Sequence, residues 1–354
     1  MKVIIVGGGT GGHVYPLIPI GKELKKRNFE VVFVGRKGRI EDRIFTSYGF
    51  DMEFVSASQF DFNIKTIFLF IFNFFNGVTE SFRIIKKHKP DAVLGGGGYV
   101  SLPVLIASIL TNVPIFIYEQ NIIPGRTNLL FKRFAIKIFL GFPDANDIFK
   151  GKGMFVGNPV RKEVIGVEKR VGLDFFDFED KFTLLVFGGS GGAYKLNKTV
   201  FSIIEELLKF DIQIIFITGE KFYKDFKDKI VHKSLRMFPY LEHMGYAYAA
   251  ADLAITRGGA MTLSELVLNE VYSIVVPFPY ARDNHQYFNA KYFESLGCVE
   301  VLEENSLNEK LLLDRILELK EKLRIIKMGC SSLYPKDSEV KIVDTIEEII
   351  NKHG

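Results

Sequence analysis

One pattern occurs twice in the chain and limits what it can become. KVIIVGGGTGGHVYPLIPI, near the start, and FTLLVFGGSGGAYKLNKTV, from Phe182, each run an apolar β-forming stretch into clustered glycines and then into a helical periodicity. A strand that breaks at glycines and reopens as a helix is the entrance to a βαβ unit, and such units build parallel sheets covered by helices. Between the two copies the rhythm continues: EVVFVG, MEFVSA, DAVLGG, IFIYEQ and KIFLGF read as strands separated by amphipathic segments. After the second copy, QIIFITG, LAITR and SIVVPF repeat it. Around GMFVGNPVRKEV the rhythm pauses, and a polar stretch, 168–181, follows. The chain therefore reads as α/β, with two Rossmann-like doubly wound domains at 1–160 and 161–335. A closing helix at 336–354 is expected to pack back on the first domain. With 354 residues, each domain has chain enough for its own core.

Composition narrows the classes. Apolar residues make up 47% and charged residues 25%, the balance of an ordinary globular chain. A net charge of +4 is too weak to argue for a nucleic-acid partner. Cys298 and Cys330 stand in no CxxC or Cys/His cluster and read as reduced, structural thiols of a cytosolic protein. Lys2 is followed at once by an apolar run and glycines, which does not make a secretory leader. No stretch reaches the roughly eighteen apolar residues that spanning requires. IKTIFLFIFNFF, 64–75, is too short to cross a bilayer and too apolar for a typical surface helix.

Ligands of parallel sheets bind beyond the carboxyl ends of the strands. Glycines there let the backbone approach a phosphate, and the following helix offers N–H groups and a positive dipole end. Loops of this kind fall at 7–12 and 188–192, with a third glycine cluster in GGGGYVSLP at 95–103. The first fits GxGxxG, but the second strand ends Val34-Gly35-Arg36 with no ribose-binding acid. Arg36 and Arg39 keep an NADP-dependent oxidoreductase open as a minority reading. In the second half, ITRGGAMTLSEL sets Arg257 and two glycines before a helix carrying Glu265. Its carboxylate suits two ribose hydroxyls, although an isolated Glu there also serves simply to complement the helix dipole. VPFPYARDNHQYFNA then crowds Asp283, Asn284, His285, Gln286 and Asn289 at a helix start.

Taken in order, GGGTGGH, GGYVS, YEQN, GNPVR, GGSGGA, RGGAMTLSE and DNHQYFNA resemble the MurG family. The resemblance implies a GT-B fold, two Rossmann-like domains with a cleft between them. It also implies an inverting transferase that moves GlcNAc from UDP-GlcNAc to undecaprenyl-pyrophosphoryl-MurNAc-pentapeptide (lipid I), forming lipid II for peptidoglycan. Carried over position by position, Thr10, Gly11 and Gly12 match the loop facing the donor, and Asn121 matches a sugar-contacting Asn. Arg161 and Ser190 match residues that hold UDP, and Leu241 matches a position whose backbone reads the uracil. Ala260, Met261, Thr262, Leu263, Ser264 and Glu265 match the helix start on phosphate and ribose. His285 and Gln286 fall where amides meet the sugar hydroxyls. Two positions depart from the family: Tyr118 stands where HEQN has His, and His285 replaces one Gln of a frequent pair.

No DxD triplet and no metal-ligand spacing appears, so neither metal nor cofactor is expected. Fixed dipoles and donors are then expected to stabilise the departing UDP. His13, at the end of the first glycine loop, is the candidate general base because imidazole titrates near neutrality. Glu119 is the rival. The stretch 64–75 precedes Arg83, Lys86, Lys87 and Lys89, a combination suited to an anionic membrane surface or, more plainly, to a buried helix. The expected location is peripheral, on the cytoplasmic face of the cell membrane, with other cell-wall or division proteins as further partners. Other readings are a GT-B enzyme using UDP-GlcNAc on another acceptor, an epimerase, or a non-catalytic sugar-nucleotide binder.

Overall fold

The computed structural model describes residues 1–59, 64–189, 193–323 and 329–353. The chain divides into two compact units: Met1–Arg161 together with Pro335–Gly354, and Lys162–Tyr334. Among the described residues, the first unit holds a seven-stranded parallel sheet. Its strands are β1 (Lys2–Val6), β2 (Glu30–Gly35), β3 (Asp51–Phe54), β4 (Ala92–Gly95), β5 (Ile115–Glu119), β6 (Lys137–Leu140) and β7 (Gly153–Phe155). They lie in the order β3-β2-β1-β4-β5-β6-β7, so β1, β4 and β5 are consecutive neighbours.

Why these strands read as unbroken apolar runs is visible on β1. Val3 and Ile5 face one core with Phe33, Leu94 and Phe116, while Ile4 and Val6 face another with Val34, Val93 and Ile117. A central parallel strand buries both faces, so alternation disappears from its sequence. The terminal helix Ser338–His353 adds Ile342, Val343 and Ile346 to the first of these cores, beside the helix Leu17–Lys26.

The second unit repeats the plan with β8 (Thr183–Phe187), β9 (Gln213–Ile217), β10 (Leu235–Phe238), β11 (Leu253–Thr256), β12 (Tyr272–Val275) and β13 (Val299–Val301). Among the described residues these form a parallel sheet ordered β10-β9-β8-β11-β12-β13. Leu184, Val186, Ile214 and Phe216 pack against the helix Tyr194–Lys209 through Leu196, Val200 and Ile204.

One expectation is corrected. Cys298 and Cys330 are joined as a disulfide, their Cα atoms 5.7 Å apart, rather than standing as separate thiols. Cys298 lies just before β13, and Cys330 opens the short turn Cys330–Ser332; the fold brings together two cysteines that no local motif links.

Candidate active site

In the first unit, the carboxyl ends of β1, β4 and β5 converge. His13 sits in the short helix Gly11–Val14 after β1, with its Nδ1 3.1 Å from the carbonyl of Gly96, just past β4. The two loops can lie this close because Gly98 has no side chain. Its φ is +78°, and a Cβ there would stand 2.4 Å from the Gly8 carbonyl. A proton on Nδ1 donated to Gly96 leaves the Nε2 lone pair as the basic position. Gln120, just after β5, brings its Nε2 to 2.7 Å from the same Nδ1. Thr10 is exposed and caps the helix start by position, without a side-chain bond, and Gly11 and Gly12 follow it into the helix.

Glu119, the rival base, is buried at the end of β5. Its carboxylate accepts from the backbone N–H groups of Asn121 (2.9 Å) and Gly125 (2.8 Å) and from Nδ2 of Asn128 (2.8 Å). Burial pushes its carboxyl above the ordinary range, against those bonds and a further one from the Asn121 side chain. A carboxylate so engaged fastens the turn that carries Gln120 and Asn121. Tyr118 is fully buried, its hydroxyl donating to Oδ1 of Asn158 at 2.5 Å, as befits a core residue. Arg161 falls with this unit, its guanidinium over the Tyr15 ring at 4.4 Å and donating to the Tyr48 hydroxyl at 3.3 Å.

Of the two arginines behind the NADP reading, Arg36 is engaged within this unit. Arg36 donates to the Tyr99 hydroxyl at 2.5 Å and stacks on its ring. The N–H groups of Gly9 and Arg36 are both turned toward the buried carboxylate of Glu41, at 3.3 Å each. An acid under the glycine loop opposes a second anion there.

In the second unit, Arg257 and two glycines follow β11, and the helix Ala260–Leu268 begins. Its first-turn N–H groups have no partner inside the helix and present the positive dipole end. Ala260, Met261, Leu263, Ser264 and Glu265 are buried, and Thr262 is partly exposed. Ser264 donates to the Ala260 carbonyl at 2.9 Å and lies 3.1 Å from the Tyr334 hydroxyl. Glu265 accepts from the Tyr248 hydroxyl at 2.7 Å.

Gly258 permits the neighbouring helix His285–Ser295 to start against it, since a Cβ would lie 2.2 Å from the Gln286 carbonyl. Gln286 accepts from the Phe278 N–H through Oε1 at 3.0 Å, and Asn289 donates to the Gly258 carbonyl at 3.2 Å. His285 turns Nδ1 to the Arg282 carbonyl, 2.8 Å away. Arg257 bridges the base of this loop: it reaches the Val276 carbonyl at 3.0 Å and pairs with Glu304. Leu241 is buried in the connection between β10 and the helix Met244–Ala250. Ser190, with Gly191 and Gly192, lies outside the described residues.

Sequence reading missed Tyr248, Gln120 and Glu41. Gln120 stood inside the YEQN motif and was passed over for its neighbours. Tyr248 and Glu41 reach their partners across the fold, and nothing local announces them.

Residues 3–140 match the N-terminal domain of glycosyltransferase family 28, and residues 183–341 match its C-terminal domain. That order of domains, each on its own parallel sheet, defines a GT-B glycosyltransferase. A UDP-N-acetylglucosamine–N-acetylmuramyl-(pentapeptide) pyrophosphoryl-undecaprenol N-acetylglucosamine transferase of Clostridioides difficile (strain 630) is 39% identical over 88% of this chain and 79% of its own. The transferase of the same name from Natranaerobius thermophilus is 38% identical over 89% of this chain and 90% of its own. The chain belongs to this transferase family, the MurG family. The crystal structure of Acinetobacter baumannii MurG superposes with a TM-score of 0.77 at 24% identity, covering 98% of this chain and 99% of that one. UDP-GlcNAc 2-epimerase from Neisseria meningitidis, bound to UDP-GlcNAc, shares the fold at a TM-score of 0.68 and 15% identity, over 98% of this chain and all (100%) of that one.

Proposed function

We propose that this chain transfers GlcNAc from UDP-GlcNAc to undecaprenyl-pyrophosphoryl-MurNAc-pentapeptide, with inversion at the anomeric carbon. One observation carries the reading: relatives named for this transfer match at 38–39% identity over 88–89% of this chain.

A muramyl hydroxyl oxygen attacks the anomeric carbon of GlcNAc, and the bond from that carbon to the UDP oxygen breaks with its electron pair. The hydroxyl proton passes to Nε2 of His13, whose Nδ1 lies against Gly96. Thr10, Gly11 and Gly12 border the transferred sugar, and Asn121 contacts it. The charge gathering on the diphosphate is met by the first-turn N–H groups of Ala260, Met261 and Thr262, with Leu263 and Ser264 completing that turn, and by Ser190 and Arg161. Glu265 takes the ribose hydroxyls, the backbone of Leu241 the uracil, and Gln286 with His285 the sugar hydroxyls. Glu119 shapes the acceptor-side turn.

The acceptor's lipid tail calls for a membrane-facing surface. Among the described residues no helix is long and apolar enough to cross a membrane. The helix Ile64–His88, however, exposes Phe68, Phe72 and Phe75 ahead of the exposed Arg83, Lys86, Lys87 and Lys89. This arrangement supports peripheral binding to an anionic leaflet.

The test is turnover with a lipid I analogue and labelled UDP-GlcNAc. Label in the acceptor with release of UDP supports transfer. Conversion of UDP-GlcNAc with no acceptor present would point to the epimerase reading instead.

A further inference from the structure

We propose that Gln120 sets the tautomer of His13 and so decides whether that ring acts as a base. The proposal rests on the reading of His13 as the proton acceptor. Its own support is a conflict at one atom. Nδ1 of His13 lies 3.1 Å from the Gly96 carbonyl and 2.7 Å from Nε2 of Gln120. The carbonyl can only accept, so it requires a hydrogen on Nδ1. The amide nitrogen can only donate, so it requires Nδ1 bare. One ring nitrogen cannot satisfy both.

The other end of the carboxamide offers a way out. Gln120 is 3% exposed, and its Oε1 is buried with no hydrogen-bond partner among the described residues. An acceptor stranded in this way is costly. The two ends of a carboxamide have nearly the same shape, so turning it about its last torsion exchanges them. Oε1 then faces Nδ1, and Nδ1–H is shared between two acceptors, Gly96 and Gln120. The proton is held on Nδ1, and the lone pair sits on Nε2, the position that takes the acceptor hydroxyl's proton in the proposed transfer. In the other orientation Nδ1 accepts, Nε2 carries the hydrogen, and Nε2 is a donor suited to a phosphate oxygen with no lone pair to take a proton. Gln120 is thus a positioning residue. It acts on the ring from behind, where serine-hydrolase triads use a carboxylate, but contributes no charge.

The experiment is the pH profile of kcat at saturating UDP-GlcNAc for wild type, Gln120→Leu, Gln120→Glu and His13→Ala, with melting temperatures. Removing the acceptor should slow Gln120→Leu by roughly 10–100-fold and move the acid limb of its profile to lower pH. Gln120→Glu sets a negative charge beside the ring and should move that limb to higher pH, by on the order of one unit. KM for the donor should stay near wild type in both. If His13→Ala keeps its turnover, the base reading fails and this inference with it. If His13→Ala is inactive while both Gln120 variants keep the wild-type acid limb, only the role of Gln120 is overturned. Loss of rate and melting temperature together, with the acid limb unmoved, also overturns it.

Discussion

A carboxylate taken out of water must find donors or surrender its charge, and Glu265 is buried at the start of the helix Ala260–Leu268 with the Tyr248 hydroxyl 2.7 Å away. If Glu265 reads the ribose, Tyr248 aims it. Glu265→Ala should weaken UDP by about 1.5–3 kcal/mol, the range for hydrogen bonds to a charged group. Tyr248→Phe should cost less, about 0.5–1.5 kcal/mol, because the carboxylate stays and loses one of its donors. Calorimetry with UDP and 2′-deoxy-UDP separates aim from mere stability: the penalty of Tyr248→Phe should shrink for the deoxy ligand. An equal penalty for both ligands would detach Tyr248 from ribose reading. Gln286 can be treated the same way. Its Oε1 accepts from the Phe278 N–H, so its amide nitrogen is the end to offer the sugar. Gln286→Ala should therefore weaken UDP-GlcNAc more than UDP, and equal losses for the two would show that ribose and sugar contacts are assigned wrongly. His13→Ala, by contrast, should lower kcat roughly 10²–10⁴-fold and leave the donor KM nearly unchanged.

Among the elements, the helix Ile64–His88 is divided along its length. Ile84 and Ile85 are buried against the first unit, whereas Phe68 is 72% exposed and Phe72 and Phe75 are 64% exposed each. Core phenylalanines would be near zero, so the bland expectation of a fully buried helix does not hold here. Replacing Phe68 and Phe72 by Ser should release the protein from anionic liposomes and shift its melting temperature little, because exposed side chains contribute within about 0.5 kcal/mol to stability. Binding should also fade with salt, since Lys and Arg near the surface add on the order of 1 kcal/mol each. Liposome binding that survives the double substitution would move the membrane surface elsewhere. The same scale explains what the sequence made legible. Central strands such as β1 and β8 announce themselves because both faces are buried and every residue after the first is apolar. β7, β10 and β13 escaped the reading: each is three or four residues long, lies at a sheet edge, and is only partly buried (GMF, LRMF, VEV). Candidates inside a local motif, such as His13 and Glu265, could be singled out from the sequence. Tyr248 and the Cys298–Cys330 disulfide could not, because in each case the partner is fixed by the path of the chain rather than by spacing.

For the molecule as a whole, the chain passes between the units twice, after Arg161 and after Tyr334, so the units are unequal in how they are encoded. The second is one continuous stretch, Lys162–Tyr334, with its own core and a disulfide closing a 32-residue separation inside it. The first needs both ends of the chain, because Ile342, Val343 and Ile346 of the terminal helix are fully buried in its core. Arg27 adds ion pairs to Asp344 (2.5 Å) and Glu347 (3.1 Å). Three such side chains are worth about 1.5–3 kcal/mol each by burial alone, a large share of the roughly 5–15 kcal/mol by which a domain is stable. A chain stopped at Tyr334 should therefore lose the melting transition of the first unit. The second unit should keep its own transition, and UDP binding with it. The fragment Lys162–Tyr334 expressed alone should fold and bind UDP, weaker than the full chain only by whatever Arg161 supplies. Scanning calorimetry of the three proteins, with and without UDP, tests this directly. Two unaltered transitions after removal of the helix would mean that the first core does not depend on it. A fragment that folds yet ignores UDP would return nucleotide binding to residues of the first unit.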